Sequence, residues 1–286
     1  MNNAIRILTF DIEEWFHILD TNVSRSETSW DQFECRIRAN VDRILNLLDK
    51  NKQRASFFCL GWVAQKYPEI IRKIDAAGYE IGSHTNMHQL AYELGPEGFK
   101  RDVAESLSEI EQCIGKKITI FRAPGFSIGK NNLWAFECLA DLGIQIDSSV
   151  FPAPHGHGGF KEYGYAKPSI VSVHGVQIKE FPINLYSLFG KNIVFSGGGY
   201  FRLLPYPVLS RLFKQSPYVM TYFHPRDFDP GQPVLPSLPW KRRFKSYYGL
   251  KGAFSKLEKL LSDFTFTDIS TAMRGIDWGN VPVVNV

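Results

Sequence analysis

Along the first half of the chain, apolar residues switch between two spacings, and the switch separates strands from helices. Ile5 to Asp11 is an apolar run ending on an acid, which predicts a buried strand. Residues 34–49 then place Ile37, Val41, Ile44, Leu45 and Leu48 three or four apart, the stripe of a helix lying on a core. Arg54 to Cys59 predicts a second strand, Trp62 to Ala77 a helix closed by Gly78, and Tyr79 to Gly82 a short strand. A helix over 96–114 has Pro96 near its start and Gly115 at its end, with Phe99, Val103, Leu107, Ile110 and Ile114 on one face. A strand at 118–122, a helix at about 131–142 and a strand at 144–148 continue the rhythm. This alternation argues for a parallel sheet flanked by helices, open or closed into a barrel. Such folds gather chemistry at the C-terminal ends of their strands.

The second half is less regular. Residues 151–168 are rich in Gly and Pro and read as a long loop carrying His155 and His157. Ile170–Val173 and Gln177–Pro182 suggest a hairpin around Gly175. Ser196-Gly197-Gly198-Gly199 predicts a turn, Pro207–Lys214 a short helix and Tyr218–His224 a strand. Residues 225–248 carry five prolines and read as loop or extension. A helix at 252–263 and a strand at 264–269 follow, and the tail after Trp278 shows no pattern.

With 286 residues, the chain suits one large α/β domain, here taken as 1–286 with a C-terminal extension over 226–286. A net charge of +4 is mild, and no basic face large enough for nucleic acid is visible. The densest basic run, Lys241-Arg242-Arg243 with Lys245, reads as a solvated loop or as a patch for an anionic substrate or membrane surface. No apolar stretch is long enough to span a bilayer. The opening residues lack the apolar core and cleavage site of a secretory leader, so a cytoplasmic chain is expected. Cys35, Cys59, Cys113 and Cys138 form no CxxC pair and read as thiols in a reducing compartment.

Polar clusters stand at five predicted strand ends: Asp11 with Glu13, His84 with His88, Arg122, Asp147 and His224. Two imidazoles and a carboxylate with open positions make a catalytic divalent-metal site. His84 and His88 are four apart and would share a face of a helical turn. Asp11 and Glu13 lie on the same side of a strand, so one can hold a metal while the other takes a proton from bound water. Taken singly, each group also reads as an ordinary surface, core or salt-bridge residue.

As a set, these residues resemble the polysaccharide deacetylase family, also called the NodB-homology or carbohydrate esterase 4 group. The matching pieces are Thr9-Phe10-Asp11, Ser83-His84-Thr85 with His88, Phe121-Arg122-Ala123-Pro124, Ile146-Asp147-Ser148-Ser149 and Tyr222-Phe223-His224-Pro225. They follow the family's order across residues 9–225. The phrases from Phe10 to His17 and from Gly197 to Arg202 resemble a subgroup linked to exopolysaccharide and surface-glycan assembly.

The resemblance implies a distorted (β/α) barrel, often seven-stranded, and metal-dependent removal of an acyl group, usually N-acetyl, from a sugar. It implies Asp11 as catalytic base, His84 and His88 as metal ligands, and Arg122 as the residue that orients the base. His224 would be the catalytic acid, tuned by a nearby Asp147, and Gly125 would offer a backbone N–H to an oxyanion. The family's commonest first motif has a metal-binding aspartate where this chain has Ile12. Relatives with a carboxylate two positions further on point to Glu13 as the third ligand, with Glu14 as fallback. The ion would be zinc, with cobalt, manganese, nickel or iron as alternatives. The substrate would be an N-acylated sugar, nucleotide-linked or lipid-linked. An N-formyl group, an ester, or a catalytically silent carbohydrate-binding relative are the competing expectations. Oligomeric state and the roles of His17, His155 and His157 stay open. Trp15, Phe16, Tyr200 and Phe201 read either as core or as platforms for sugar rings.

Overall fold

The computed structural model describes residues 4–19, 27–188, 191–235 and 238–286. The strands are β1 (Ile5–Ile7), β2 (Thr9–Ile12), β3 (Ser56–Cys59), β4 (Glu80–Ser83), β5 (Ile120–Phe121) and β6 (Ile146–Asp147). They continue with β7 (Ser169–Val173), β8 (Val176–Glu180), β9 (Tyr186–Leu188), β10 (Lys191–Ile193), β11 (Tyr218–Met220) and β12 (Val283–Asn285). The main sheet has the order β12-β7-β8-β6-β5-β4-β3-β2, parallel throughout except for the β7–β8 hairpin. β2 and β3 are buried along their whole length, the polar Thr9, Asp11 and Ser56 included.

Past β2 the parallel pairing continues. β1 pairs with β11, and Phe10 bridges Phe223. Counting β1 and β2 as one stave, seven staves run from β8 through β6, β5, β4, β3 and β2 to β11. The seam between β11 and the chain just past β8 is held by side chains: the Met220 N–H donates to Asn184 Oδ1 at 3.0 Å and the Tyr218 hydroxyl to the Pro182 carbonyl at 2.8 Å. This is the distorted barrel expected of the sequence, drawn together without a backbone ladder at the seam.

The helices mostly follow the apolar stripes. Ile37–Lys50 buries Ile37, Val41, Ile44, Leu45 and Leu48, each such side chain contributing about 1.5–3 kcal/mol of apolar burial. Several expectations need correction. The helix foreseen over 62–77 is two, Gly61–Lys66 and Pro68–Ala76, because Pro68 starts a new helix and cannot continue the old one. The helix foreseen from 96 begins at Ala91 and is broken at Gly95, whose φ is 67°. The run 264–269 supplies only a bridge from Thr267 to Ile7 and then a helix, Ile269–Arg274. The proline-rich stretch 225–248 contains a 3₁₀ turn, Pro225–Phe228, and a helix, Trp240–Tyr247, so the basic run is helical rather than loop. The unpatterned tail forms β12.

A candidate metal and acid–base site

The strand ends deliver their polar residues into one cleft of about 480 Å³, lined by Asp11, Glu13, His84, His88, Gly125 and His224 among others. Ligand atoms of Glu13, His84 and His88 all lie within 4.8 Å of one another, and all three residues are buried. His84 Nδ1 lies 2.7 Å from the Arg122 carbonyl, so that nitrogen carries the proton and Nε2 keeps its lone pair for the cleft. Glu13 Oε2 sits 2.6 Å from His88 Nε2, yet it is buried and outside hydrogen-bond alignment. An orphaned carboxylate oxygen converging with two imidazoles fits a divalent ion. Burial alone would raise the Glu13 carboxyl, but the charges of His88 and His224 outweigh it and hold it well below its usual range. Burial lowers His84 to about 4, which keeps the imidazole neutral, as a ligand must be.

His84 and His88 do not share a helical turn. They lie on an irregular segment after β4, where Thr85 and His88 adopt positive φ, 68° and 53°. The choice between the two glutamates has a physical answer. Glu14 turns to the start of the helix Ile37–Lys50, where Oε1 accepts from the Arg36 and Ile37 N–H groups at 3.0 and 3.2 Å. It serves as that helix's cap and is drawn away from the cleft.

Asp11 is held by Arg122, whose Nη1 donates to Asp11 Oδ1 at 2.7 Å. Arg122 is fully buried and also donates to Thr9 Oγ1, Ser148 O and Ser148 Oγ. Its guanidinium lies over the Phe58 ring at 4.2 Å. Asp11 Oδ2 turns toward His224, with Nε2 3.9 Å away.

The partner of His224 is not Asp147. His224 Nδ1 lies 3.1 Å from Asp227 Oδ2, which also accepts the His224 backbone N–H at 2.9 Å. Asp227 Oδ1 is 3.2 Å from Arg202 Nε. Burial would lower His224, but Glu13, Asp227 and Asp11 together raise it to about 9. Arg202 and His224 hold Asp227 at about 2 against the opposing effect of burial. Asp147 instead accepts from the Ser149 N–H and hydroxyl at 3.0 and 2.6 Å and shares a hydrogen bond with the buried Glu180. Burial raises both carboxyls, and the neighbouring Asp147 raises Glu180 further.

Asp227, Arg202 and Glu180 were missed in the sequence. The signal for Asp227 was present: a proline and then an acid three residues after His224 form a short N-terminal turn with its own cap. It also explains Gly198, since a Cβ there would overlap the Asp227 carboxylate. Gly125, at φ 60°, lines the cleft as expected. His155 and His157 line it too, the latter 2.8 Å from Arg242. His17 stacks beside His88 with ring centroids 5.9 Å apart. Its Nδ1 accepts from the Glu14 N–H, which leaves the proton on Nε2, a poor arrangement for a metal ligand. Trp15, Phe16 and Phe201 are core, whereas Tyr200 stands exposed on the cleft rim.

An α/β barrel whose strand ends bring a carboxylate together with two imidazoles, and an arginine-held aspartate toward a third histidine, can be compared with known proteins. Residues 8–145, just under half of the chain, match the polysaccharide deacetylase family. Residues 148–274 match a second family, described as a domain of unknown function. A peptidoglycan-N-acetylglucosamine deacetylase of Bacillus cereus is 30% identical over 103 residues, 36% of this chain and 46% of the relative. A chitin deacetylase of Pestalotiopsis is 31% identical over 111 residues, 38% of this chain and 36% of the relative. The chain thus spans less than half the length of these curated relatives. A crystal structure from Mycobacterium smegmatis, provisionally assigned as a polysaccharide deacetylase, aligns with a TM-score of 0.68 at 17% identity. It covers 98% of this chain and 92% of that one, which establishes the shared fold.

Proposed function

We propose that the chain is a carbohydrate N-deacetylase, a metal-dependent hydrolase that removes an N-acyl group, N-acetyl foremost, from an amino sugar during surface-polysaccharide assembly. The observation that carries this reading is the convergence, in one cleft, of a three-donor cluster, an arginine-held carboxylate and a histidine raised to about 9. Glu13, His84 and His88 would hold the ion, and the donor set favours zinc. Bound there, the ion would supply a Lewis acid and a water of lowered pKa.

The remaining work falls to the chain. Asp11 accepts the proton of the attacking water on Oδ2, while Arg122 keeps Oδ1. The Gly125 N–H donates to the carbonyl oxygen as charge builds on it. His224, protonated at neutral pH, hands its Nε2 proton to the departing amine, and Asp227 keeps the ring oriented through Nδ1. Relatives named for peptidoglycan N-acetylglucosamine and chitin support an N-acetylated hexosamine as the sugar; a nucleotide or lipid linkage of that sugar is part of the proposal. Four unpaired thiols support a reducing, cytoplasmic setting.

The test is acetate release from acetylated hexosamine substrates, measured with a chelator, without it, and after zinc is restored. Release that stops with chelation and returns with the ion is expected. A purified chain that takes up no metal and releases neither acetate nor formate would instead favour a silent carbohydrate-binding relative.

A further inference from the structure

We propose that the rim of the cleft is a docking surface for an anionic lipid membrane, with the helix Trp240–Tyr247 lying in the headgroup layer. Nine large apolar side chains stand exposed among the described residues, and five cluster here: Tyr200, Leu203, Trp240, Phe244 and Tyr248. Trp240 and Phe244 stand one turn apart on the helix, Tyr248 follows at its C-terminal end with its ring centroid 4.8 Å from that of Phe244, and no residue of the helix is buried. Trp240 is 75% exposed, the most of the nine. A cluster of that kind has no reason to face water on a lone soluble domain.

The charge pattern selects the occupant. Residues 230–257 contain no acid and six bases: Lys241, Arg242, Arg243, Lys245, Lys251 and Lys256. Aromatic and aliphatic residues interleaved with lysine and arginine are the composition of a helix that lies in a membrane interface. Anionic headgroups supply the complementary charge. A sugar polymer would be gripped by aromatic faces, but it gives no role to the exposed leucine or to so one-sided a charge.

The helix is also fixed to the molecule, as an interfacial anchor needs to be. Arg202 donates to the carbonyls of Lys245, Ser246 and Tyr248 at 2.9–3.0 Å. The Tyr247 hydroxyl accepts from the Leu235 N–H at 3.1 Å. Phe244 and Tyr248 line the cleft and Trp240 lies one turn before Phe244, so docking turns the cleft mouth toward the lipid. On the reading proposed above, the acylated sugar then reaches the cleft on a lipid carrier.

The experiment is co-sedimentation of the full chain with vesicles of phosphatidylglycerol in phosphatidylcholine, and with vesicles of phosphatidylcholine alone. Binding to the anionic vesicles is expected, weakening as salt rises, with a blue shift of tryptophan emission. W240S/F244S and K241E/R243E should each weaken it at least tenfold while unfolding at the temperature of the parent. Equal partition of parent and variants overturns the proposal. So does absence of binding to anionic vesicles. A third adverse outcome is that W240S/F244S loses affinity for a soluble acylated oligosaccharide while vesicle binding is unchanged, which marks the rim as a sugar platform. Vesicle binding needs no turnover, so a failed deacetylase assay leaves this result standing.

Discussion

Two arginine–aspartate pairs flank the cleft, and they are built in different ways. On the side proposed to supply the base, Arg122 and Asp11 come from the ends of β5 and β2, and the arginine is locked by Thr9 and Ser148 beneath the cleft floor. On the side proposed to supply the acid, Arg202 and Asp227 come from a short helix and a 3₁₀ turn, and the arginine's remaining donors cap the carbonyls of the rim helix. The base side belongs to the barrel. The acid side is assembled from segments that connect and cover it. The family matches divide at the same place: Asp11 and Arg122 lie within residues 8–145, Arg202, His224 and Asp227 within 148–274. A rigid strand end sets the base, and a network of tertiary contacts sets the acid.

The largest effect should come from the base. Asp11→Asn keeps the shape and the bond from Arg122 but offers no basic oxygen to the water. Turnover should fall by about 10²–10⁴-fold, the usual contribution of a general base. Metal content should stay at the parent level, because Glu13, His84 and His88 are untouched. Metal loss in this variant, measured by elemental analysis, would make Asp11 a ligand and undo the division of labour between the two carboxylates.

The acid side should respond more gently and in a different observable. Asp227→Asn removes a partner that helps raise His224 to about 9, so the histidine loses its proton at lower pH. The alkaline limb of the rate profile should move to lower pH by about one unit, the equivalent of about 1.4 kcal/mol, with the loss of rate largest above neutrality. Asp147→Asn should leave that limb in place, since Asp147 bonds Ser149 and Glu180 instead. If the limb moves with Asp147→Asn and not with Asp227→Asn, the contact that defines the acid side is wrong.

The same contrast explains what the sequence could disclose. Strand ends are legible because apolar runs end abruptly on a polar residue, so Asp11, His84, Arg122 and His224 could be found from pattern alone. Their convergence follows from a parallel sheet, in which every C-terminal end faces one way. Asp227 was hidden because its meaning depends on a turn that folds it back onto His224. Arg202 was hidden further, because Asp227 and the rim helix lie 25 and about 40 residues away from it. The helical-turn argument for His84 and His88 named a pair that does meet in the cleft, but by another geometry, since two left-handed residues bring them together. Glu14 could be told from Glu13 only once the helix beginning at Ile37 had a position in space.

The smallest effect tests whether Asp147 and Glu180 form part of the barrel wall and not of the acid. Both are fully buried, and burial raises both carboxyls, with Asp147 raising Glu180 further. A group whose folded pKa lies above its unfolded one stabilises most below the unfolded value. That stability is lost as pH climbs through the folded value, because only the unfolded chain releases the proton freely. Unfolded glutamate titrates near 4.3, so the loss begins there and continues up to the raised folded value. Glu180→Gln keeps an acceptor for the Val150 N–H, now 3.1 Å from Glu180 Oε1, and removes this titration. Its melting temperature relative to the parent should therefore rise as pH rises from about 5 to 8. A change of about 1 kcal/mol across that range would read as about 2–4 °C for a chain of this size. The alkaline limb set by His224 should not move. A melting difference that stays flat with pH would mean that the pair carries no shared proton. A shifted alkaline limb would return Glu180 and Asp147 to the acid side of the cleft.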